Sequence, residues 1–233
     1  MFYRVLITVV LSLSLLFAFS QKQAVNNNQY SQDLLFYPTK NIDSLLNTAT
    51  RQLQAAEQKG DELAKAKALS DIAFANKYKG QPDSAILFYK RAKSIFLAGK
   101  NDEAAEYTDI ALANIYIGQY KIDTALSYLI GVDSLSKVSK NASLQADVKW
   151  NLGLVYKNKE DYLNAARYFK MALNAFQFQK KYSKYILAGC HLSMAYRLMD
   201  QNDSSLNILA QCISVFNKQS LSDSLLYATI QEN

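Results

Sequence analysis

The chain has 233 residues, half of them hydrophobic and a fifth charged, with a formal net charge of +6. Two prolines and seven glycines in that length point to helices throughout, and interspersed charge without a basic block or recognition motif argues against nucleic-acid binding. A single histidine removes most histidine-based catalysis and metal clusters, and no glycine-rich phosphate loop occurs, so neither an enzymatic activity nor a metal or other cofactor is expected.

Residues 1–20 stand apart. Met1-Phe2-Tyr3-Arg4 supplies one positive charge, Val5 to Phe19 is a nearly unbroken apolar run, and Ala18-Phe19-Ser20 places small residues at the −3 and −1 positions before Gln21. This is the pattern of a secretory signal peptide, with an uncleaved N-terminal anchor as the alternative. The run is short for a membrane span of ~20 residues, and no later segment is apolar enough to be one. The expectation is an exported, periplasmic protein without a membrane span once the signal is removed. Residues 21–41 read as a polar leader. Asn26, Asn27, Asn28 and Gln29 form a tether, and Leu34 to Tyr37 are apolar enough to dock one turn before Pro38.

From there on the sequence repeats every forty residues. Ala85, Ala125, Ala165 and Ser205 recur at that interval, and Asp43-Ser44, Asp83-Ser84, Asp123-Thr124 and Asp203-Ser204 precede the same position in four copies. A second column pairs a large apolar residue with a small one: Ile72-Ala73, Leu112-Ala113, Leu152-Gly153 and Leu192-Ser193. Tyr116, Tyr156 and Tyr196 follow it; Tyr89, Leu129, Phe169 and Leu209 form the next column, then Ala92, Val132, Ala172 and Cys212. Small residues facing each other let two helix axes approach to the short end of 8–10 Å, and large residues above and below fill the gaps. The pattern predicts helical hairpins that bury their apolar faces only by stacking.

The layout that follows has an orphan helix over about Ile42–Lys59, hairpins over 61–99, 101–139, 142–179 and 183–219, and a last helix from about Ser222 to Asn233. That last helix is either a natural cap or the first half of a further hairpin in a longer protein. Between hairpins, around Gly60, Lys100, Lys140, Lys180 and Ser220, the expectation is long helix ends joined by short turns. Asp61, Asn101-Asp102, Asn141 and Ser183 are the expected N-caps there, and the turns inside hairpins fall at Gly80-Gln81, Gln119-Tyr120, Lys159-Glu160 and Gln201-Asn202.

By these columns, most densely in Ala146–Gln179, the chain resembles the tetratricopeptide repeat family. The resemblance implies an all-α, right-handed superhelix, an α-solenoid of stacked antiparallel hairpins. It also implies a non-catalytic scaffold that binds a peptide or protein in a concave groove lined by the first helix of each hairpin. Carried over by position, the groove residues are Phe74, Lys77 and Tyr78, then Asn114, then Trp150, Asn151, Leu154 and Lys157, then His191, Met194 and Arg197. Asn114 and Asn151 match two asparagines of the carboxylate clamp found in some members, but its basic positions fall on Ile110, Leu187 and His191, so a faithful clamp is not expected. Exported arrays with this period also resemble sensor regions of membrane-bound histidine kinases and regulators. The alternative function is therefore the sensory input region of a signalling protein whose output domain lies elsewhere. Cys190 and Cys212 sit on the two helices of one hairpin. Export would permit a disulfide, but Cys190 is expected to lean toward the groove and Cys212 toward the core, as separate packing residues.

Overall fold

The structure, a computed structural model, describes residues 42–219 and 229–231. The chain divides into two units, Met1–Leu34 and Leu35–Asn233, and every described residue lies in the second. The predicted signal peptide, the leader and most of the last predicted helix lie outside the described residues.

Among the described residues nine full helices follow one another: α1 (Ile42–Lys59), α2 (Glu62–Tyr78), α3 (Pro82–Ala98), α4 (Asp102–Gly118), α5 (Ile122–Val138), α6 (Ala142–Asn158), α7 (Tyr162–Phe178), α8 (Tyr182–Leu198) and α9 (Asn202–Lys218). No strand occurs among the described residues. Each helix packs on its neighbours in sequence, and α4 also packs on α6, its counterpart in the next hairpin. The result is the predicted right-handed solenoid, with α2, α4, α6 and α8 as one layer and α3, α5, α7 and α9 as the other.

One turn, used eight times, sets this geometry. Every twentieth residue from Gly60 to Asp200 has a positive φ, between 54° and 72°. At Lys100 the amide donates to Leu97 O (3.0 Å) and the next amide, Asn101, donates to Phe96 O (2.8 Å). The same pair of bonds recurs at the other turns, for example Glu160 to Lys157 O and Asp161 to Tyr156 O, both 3.0 Å. This is the Schellman closure, which satisfies two carbonyls at a helix end. The second of its two donor residues also opens the next helix. Asp61, Asn101, Asn141 and Asp161 accept from the amides of Ala64, Ala104, Leu144 and Asn164 respectively, each three residues on.

The turns between hairpins are short, as expected, and no longer than those within them, because all helices from α2 to α9 have 17 residues; two other expectations change. The longer period is thus spread over both helices of each hairpin. Ser183 is not an N-cap: that place belongs to Lys181, whose side chain makes no capping bond. The last turn lies one residue earlier than expected, since Asp200 takes the left-handed conformation and Asn202 already starts α9. In each case no glycine marks the turn, so the sequence signal was blurred.

The small-residue seam holds as read. Ala73, Ala113, Gly153 and Ser193 are buried, as are Ala85, Ala125, Ala165 and Ser205. Across the last hairpin, Ser193 Oγ and Ser205 Oγ meet at 2.7 Å. Earlier hairpins fill these two places with alanine or glycine. Ser205→Ala is therefore expected to cost roughly 1–2 kcal/mol by leaving a buried hydroxyl unpaired, whereas Ser193→Ala/Ser205→Ala should return close to wild type. Equal losses for the single and double variants in denaturant unfolding would contradict this.

Adjacent hairpins are tied at a second recurring place. Lys93 on α3 pairs with Asp109 on α4 at 2.7 Å. Forty residues on, Asp133 on α5 pairs with Lys149 on α6 at 2.6 Å, with the charges exchanged. A further forty on, the pair is apolar: a Cβ at Gly189 would lie 3.5 Å from Leu173 Cδ1. Asp133 also meets Lys137 at 2.6 Å. Burial pushes the Asp133 carboxyl up, but Lys137 and Lys149 outweigh it and hold the group below its ordinary 3.8. A folded value below the unfolded one stabilises the protein above that range, and the contribution is lost as pH falls through the folded value. Asp133→Asn should lower stability by roughly 1–2 kcal/mol at pH 7, and the deficit should shrink as pH falls through the folded value. A deficit of constant size from neutral to strongly acidic pH in thermal melts would contradict the assignment.

No hairpin has a private core. One apolar cluster runs from Ile110 through Phe169 and Phe176 to Cys212 and Ile230, and two smaller ones join α2 and α3 to α4. Ile230, within the span of the last predicted helix, is 3% exposed in that main cluster.

Candidate functional site: the layer of first helices

The residues named from sequence all fall on α2, α4, α6 and α8, but not all reach the surface. Phe74, Lys77, Tyr78, Asn114, Trp150, Lys157, His191 and Met194 are half-buried, and Arg197 is exposed. Asn151 is 1% exposed and Leu154 9%, so both belong to the interior. Ile110 and Leu187, where a carboxylate clamp would need bases, are buried.

Two groups form. On α2, the Phe74 and Tyr78 rings meet at 4.5 Å, and Lys77 Nζ lies 5.3 Å from the Tyr78 ring centre. Spacing of one helical turn places the two rings together. On α6 and α8, Trp150 and His191 lie 6.2 Å apart. His191 in turn stacks on Phe169 of α7 at 5.2 Å, with ring planes only 17° apart. The lone histidine is thus a ring packed between aromatics at the boundary of the core.

Beside the second group runs a polar chain across three first helices. Tyr107 Oη on α4 and Ser143 Oγ on α6 are 3.0 Å apart, and Lys181 Nζ donates to the same Ser143 oxygen. Lys184 Nζ on α8 donates to Asp147 Oδ1 on α6. Burial pushes the Tyr107 phenol up, and Asp147, Glu103 and Glu106 add to this while the Ser143 bond opposes it. The phenol is therefore neutral at physiological pH. Ser143, Asp147, Lys181 and Lys184 were not picked out from sequence. Their signal was available only as pairs 37 or 38 residues apart, just short of the repeat, which bring a residue opposite its neighbour on the next first helix.

Within α6 the accounting does not close. Asp147 Oδ2, Trp150 Nε1 and Asn151 Oδ1 are buried and have no hydrogen-bond partner, although Asn151 Nδ2 donates to Asp147 O at 2.8 Å. Buried polar atoms are normally paired, and each exception costs about 1–3 kcal/mol. Three within two turns of one helix mark this stretch as the least self-satisfied part of the layer.

The two cysteines are free and buried. A Cβ at Gly189 would sit 2.2 Å from Cys212 Sγ, so the sulfur occupies space that glycine leaves open. Cys190 does not face a groove as expected but is 2% exposed. Burial pushes both thiols up to about 12, which removes thiolate chemistry at neutral pH. Among the described residues, no cluster of three or more metal-ligating side chains occurs, and no helix is long and apolar enough to cross a membrane.

No family model matches the sequence, and no curated protein matches it. Solved structures do. A Rap protein complexed with Competence and Sporulation Factor superposes with a TM-score of 0.74 at 19% identity, over 82% of this chain and 53% of that one. The TPR-like repeats of a putative kinesin light chain from Podosopora anserina superpose with a TM-score of 0.54 at 13% identity, over 77% and 96%. The chain has the tetratricopeptide-repeat fold. Aspartyl phosphate phosphatase F from Bacillus subtilis is similar again, with a TM-score of 0.72 at 14% identity over 82% and 51%. This tetratricopeptide-repeat chain spans about half the length of the Rap protein and of the phosphatase it matches. At these identities the likeness speaks for the fold, and the function has to be argued from the layer of first helices itself.

Proposed function

We propose that the array is an exported, non-catalytic scaffold that holds a peptide or protein segment against α2, α4, α6 and α8. The observation that carries this reading is the mix of half-buried polar and aromatic side chains on one layer, with Asn114, Trp150 and Lys157 among them. An extended segment offers both amides and carbonyls along its length, and so suits a layer of that mixed character. Half-buried Trp150, Phe74 and Tyr78 supply apolar anchors at either end, a residue mix typical of binding hot spots. The Rap protein solved with Competence and Sporulation Factor gives this reading a precedent on the same fold. Absence of catalysis is supported by the silenced thiols and the ring-packed histidine. Export rests on residues 1–20 alone and predicts a mature protein beginning at Gln21.

The test is capture from the native organism with the full chain as bait, comparing wild type with Met194→Glu and Arg197→Glu on the first-helix layer and Leu163→Glu on the other. Leu163 is 72% exposed, so its substitution leaves the packing intact. Partners recovered by wild type and Leu163→Glu but lost from the first two variants support the proposal. Identical recovery by all four excludes it.

A further inference from the structure

The solenoid has two edges of turns. One carries the turns within hairpins, with Gly80, Tyr120, Glu160 and Asp200 in the left-handed position; the other carries the turns between hairpins, with Gly60, Lys100, Lys140 and Lys180. Their backbones are alike, so the same residues would serve both. Left-handed backbone favours glycine or asparagine. Lysine three times running on one edge therefore has no local conformational cause.

The same edge bears the two most exposed large apolar residues among those described. Val138 is 82% exposed and Phe178 90%. Each ends the second helix of its hairpin, two residues before Lys140 and Lys180. Around the last two turns of this edge charge is mainly basic, from Lys140, Lys180 and Lys181, and no acidic residue lies between Asp161 and Asp200; around the first two, Asp61, Glu62, Asp102 and Glu103 offset the lysines.

Protruding apolar tips alternating with lysines do not form a concavity for a peptide. They fit a flat surface that is anionic outside and apolar a few ångströms below, because the tips can enter the acyl boundary while ammonium groups meet headgroups. We infer that the edge around the last two turns between hairpins is a docking surface for an anionic lipid bilayer, with Phe178 and Val138 inserted and Lys140 and Lys180 on the headgroups. This surface is separate from the first-helix layer, so the two readings stand or fall independently.

The experiment is co-sedimentation of the full chain with vesicles of phosphatidylcholine alone or with about 30 mol% phosphatidylglycerol, at low and high salt. The apolar run Val5 to Phe19 is present in every variant, so differences between variants report the edge. Wild type should partition at least about tenfold better onto anionic vesicles, and salt should erase the difference. Lys140→Glu/Lys180→Glu should lose about tenfold or more, and Phe178→Ser several-fold, with unchanged melting curves. Lys90→Glu/Lys159→Glu, which changes net charge equally elsewhere, should stay within about twofold of wild type. Equal uptake by neutral and anionic vesicles, or an equal loss in the control pair, overturns the inference. So does a photocrosslinker at Phe178 that captures a protein while edge substitutions leave vesicle uptake unchanged, since the occupant would then be a protein.

Discussion

Phe169→Ala should cost about 3–5 kcal/mol, the largest loss expected of any single substitution in the chain. Phe169 is completely buried, and it lies over Gly153 of the partner helix: a Cβ at residue 153 would come within 2.5 Å of its ring. His191 stacks on the same ring. One side chain thus joins α6, α7 and α8. The contact also runs in reverse. Gly153→Ala alone should cost about 1–3 kcal/mol, because the added methyl meets a rigid ring with no room to retreat. In the Phe169→Ala background the same methyl enters the cavity and should be neutral or stabilising. Denaturant unfolding of the four proteins checks this as a cycle. Additive losses would mean that the two residues do not touch.

Replacing Lys100, Tyr120, Lys140, Glu160, Lys180 and Asp200 together by glycine should raise stability by roughly 3–6 kcal/mol. All six hold φ between 54° and 60° with a side chain that disfavours it. Relief of about 1–2 kcal/mol per site is offset in part by the greater freedom of glycine in the unfolded chain. The sites are separated by whole helices, so the gains should add. Gly80→Ala is the converse and should lose about 1 kcal/mol, although nothing lies within 4 Å of the added carbon. A melting temperature unmoved by the six glycines would show that the turns are not strained. If the lysine edge docks on lipid, the stabilised variant should also lose vesicle binding, and the retained strain is then explained by function.

The fold was legible because its cause is simple and repeated. Small residues at a forty-residue interval can only mean closely packed helices, and Ala73, Ala113, Gly153 and Ser193 all proved buried. Less legible was the half-period. Only two of the eight left-handed positions are glycine, so the rule that places a turn at every twentieth residue is carried by backbone hydrogen bonds rather than by composition. A paired column was also missed. Tyr116 stacks on Tyr128 at 5.7 Å and Tyr156 on Tyr168 at 5.2 Å, and Phe88, Tyr128 and Tyr168 recur at forty residues as plainly as the columns that were found.

The candidate site was legible only in part. Family position correctly placed all eleven residues on first helices, but position says nothing of depth. Asn151 sank because its neighbours Ala146, Val148 and Leu152 are themselves buried, and its amide then turned onto its own helix. The polar chain through Tyr107, Ser143 and Asp147 depends on how far each hairpin advances over the last. No single copy of the repeat contains that quantity.

The central claim is that a partner segment lies along the layer of first helices. Amide hydrogen exchange of the full chain, with and without a partner captured as above, measures this directly. The account predicts slowed exchange along α4, α6 and α8, greatest around Trp150, with α3, α5, α7 and α9 unchanged. Slowing confined to the second helices, or none in α6, would contradict it.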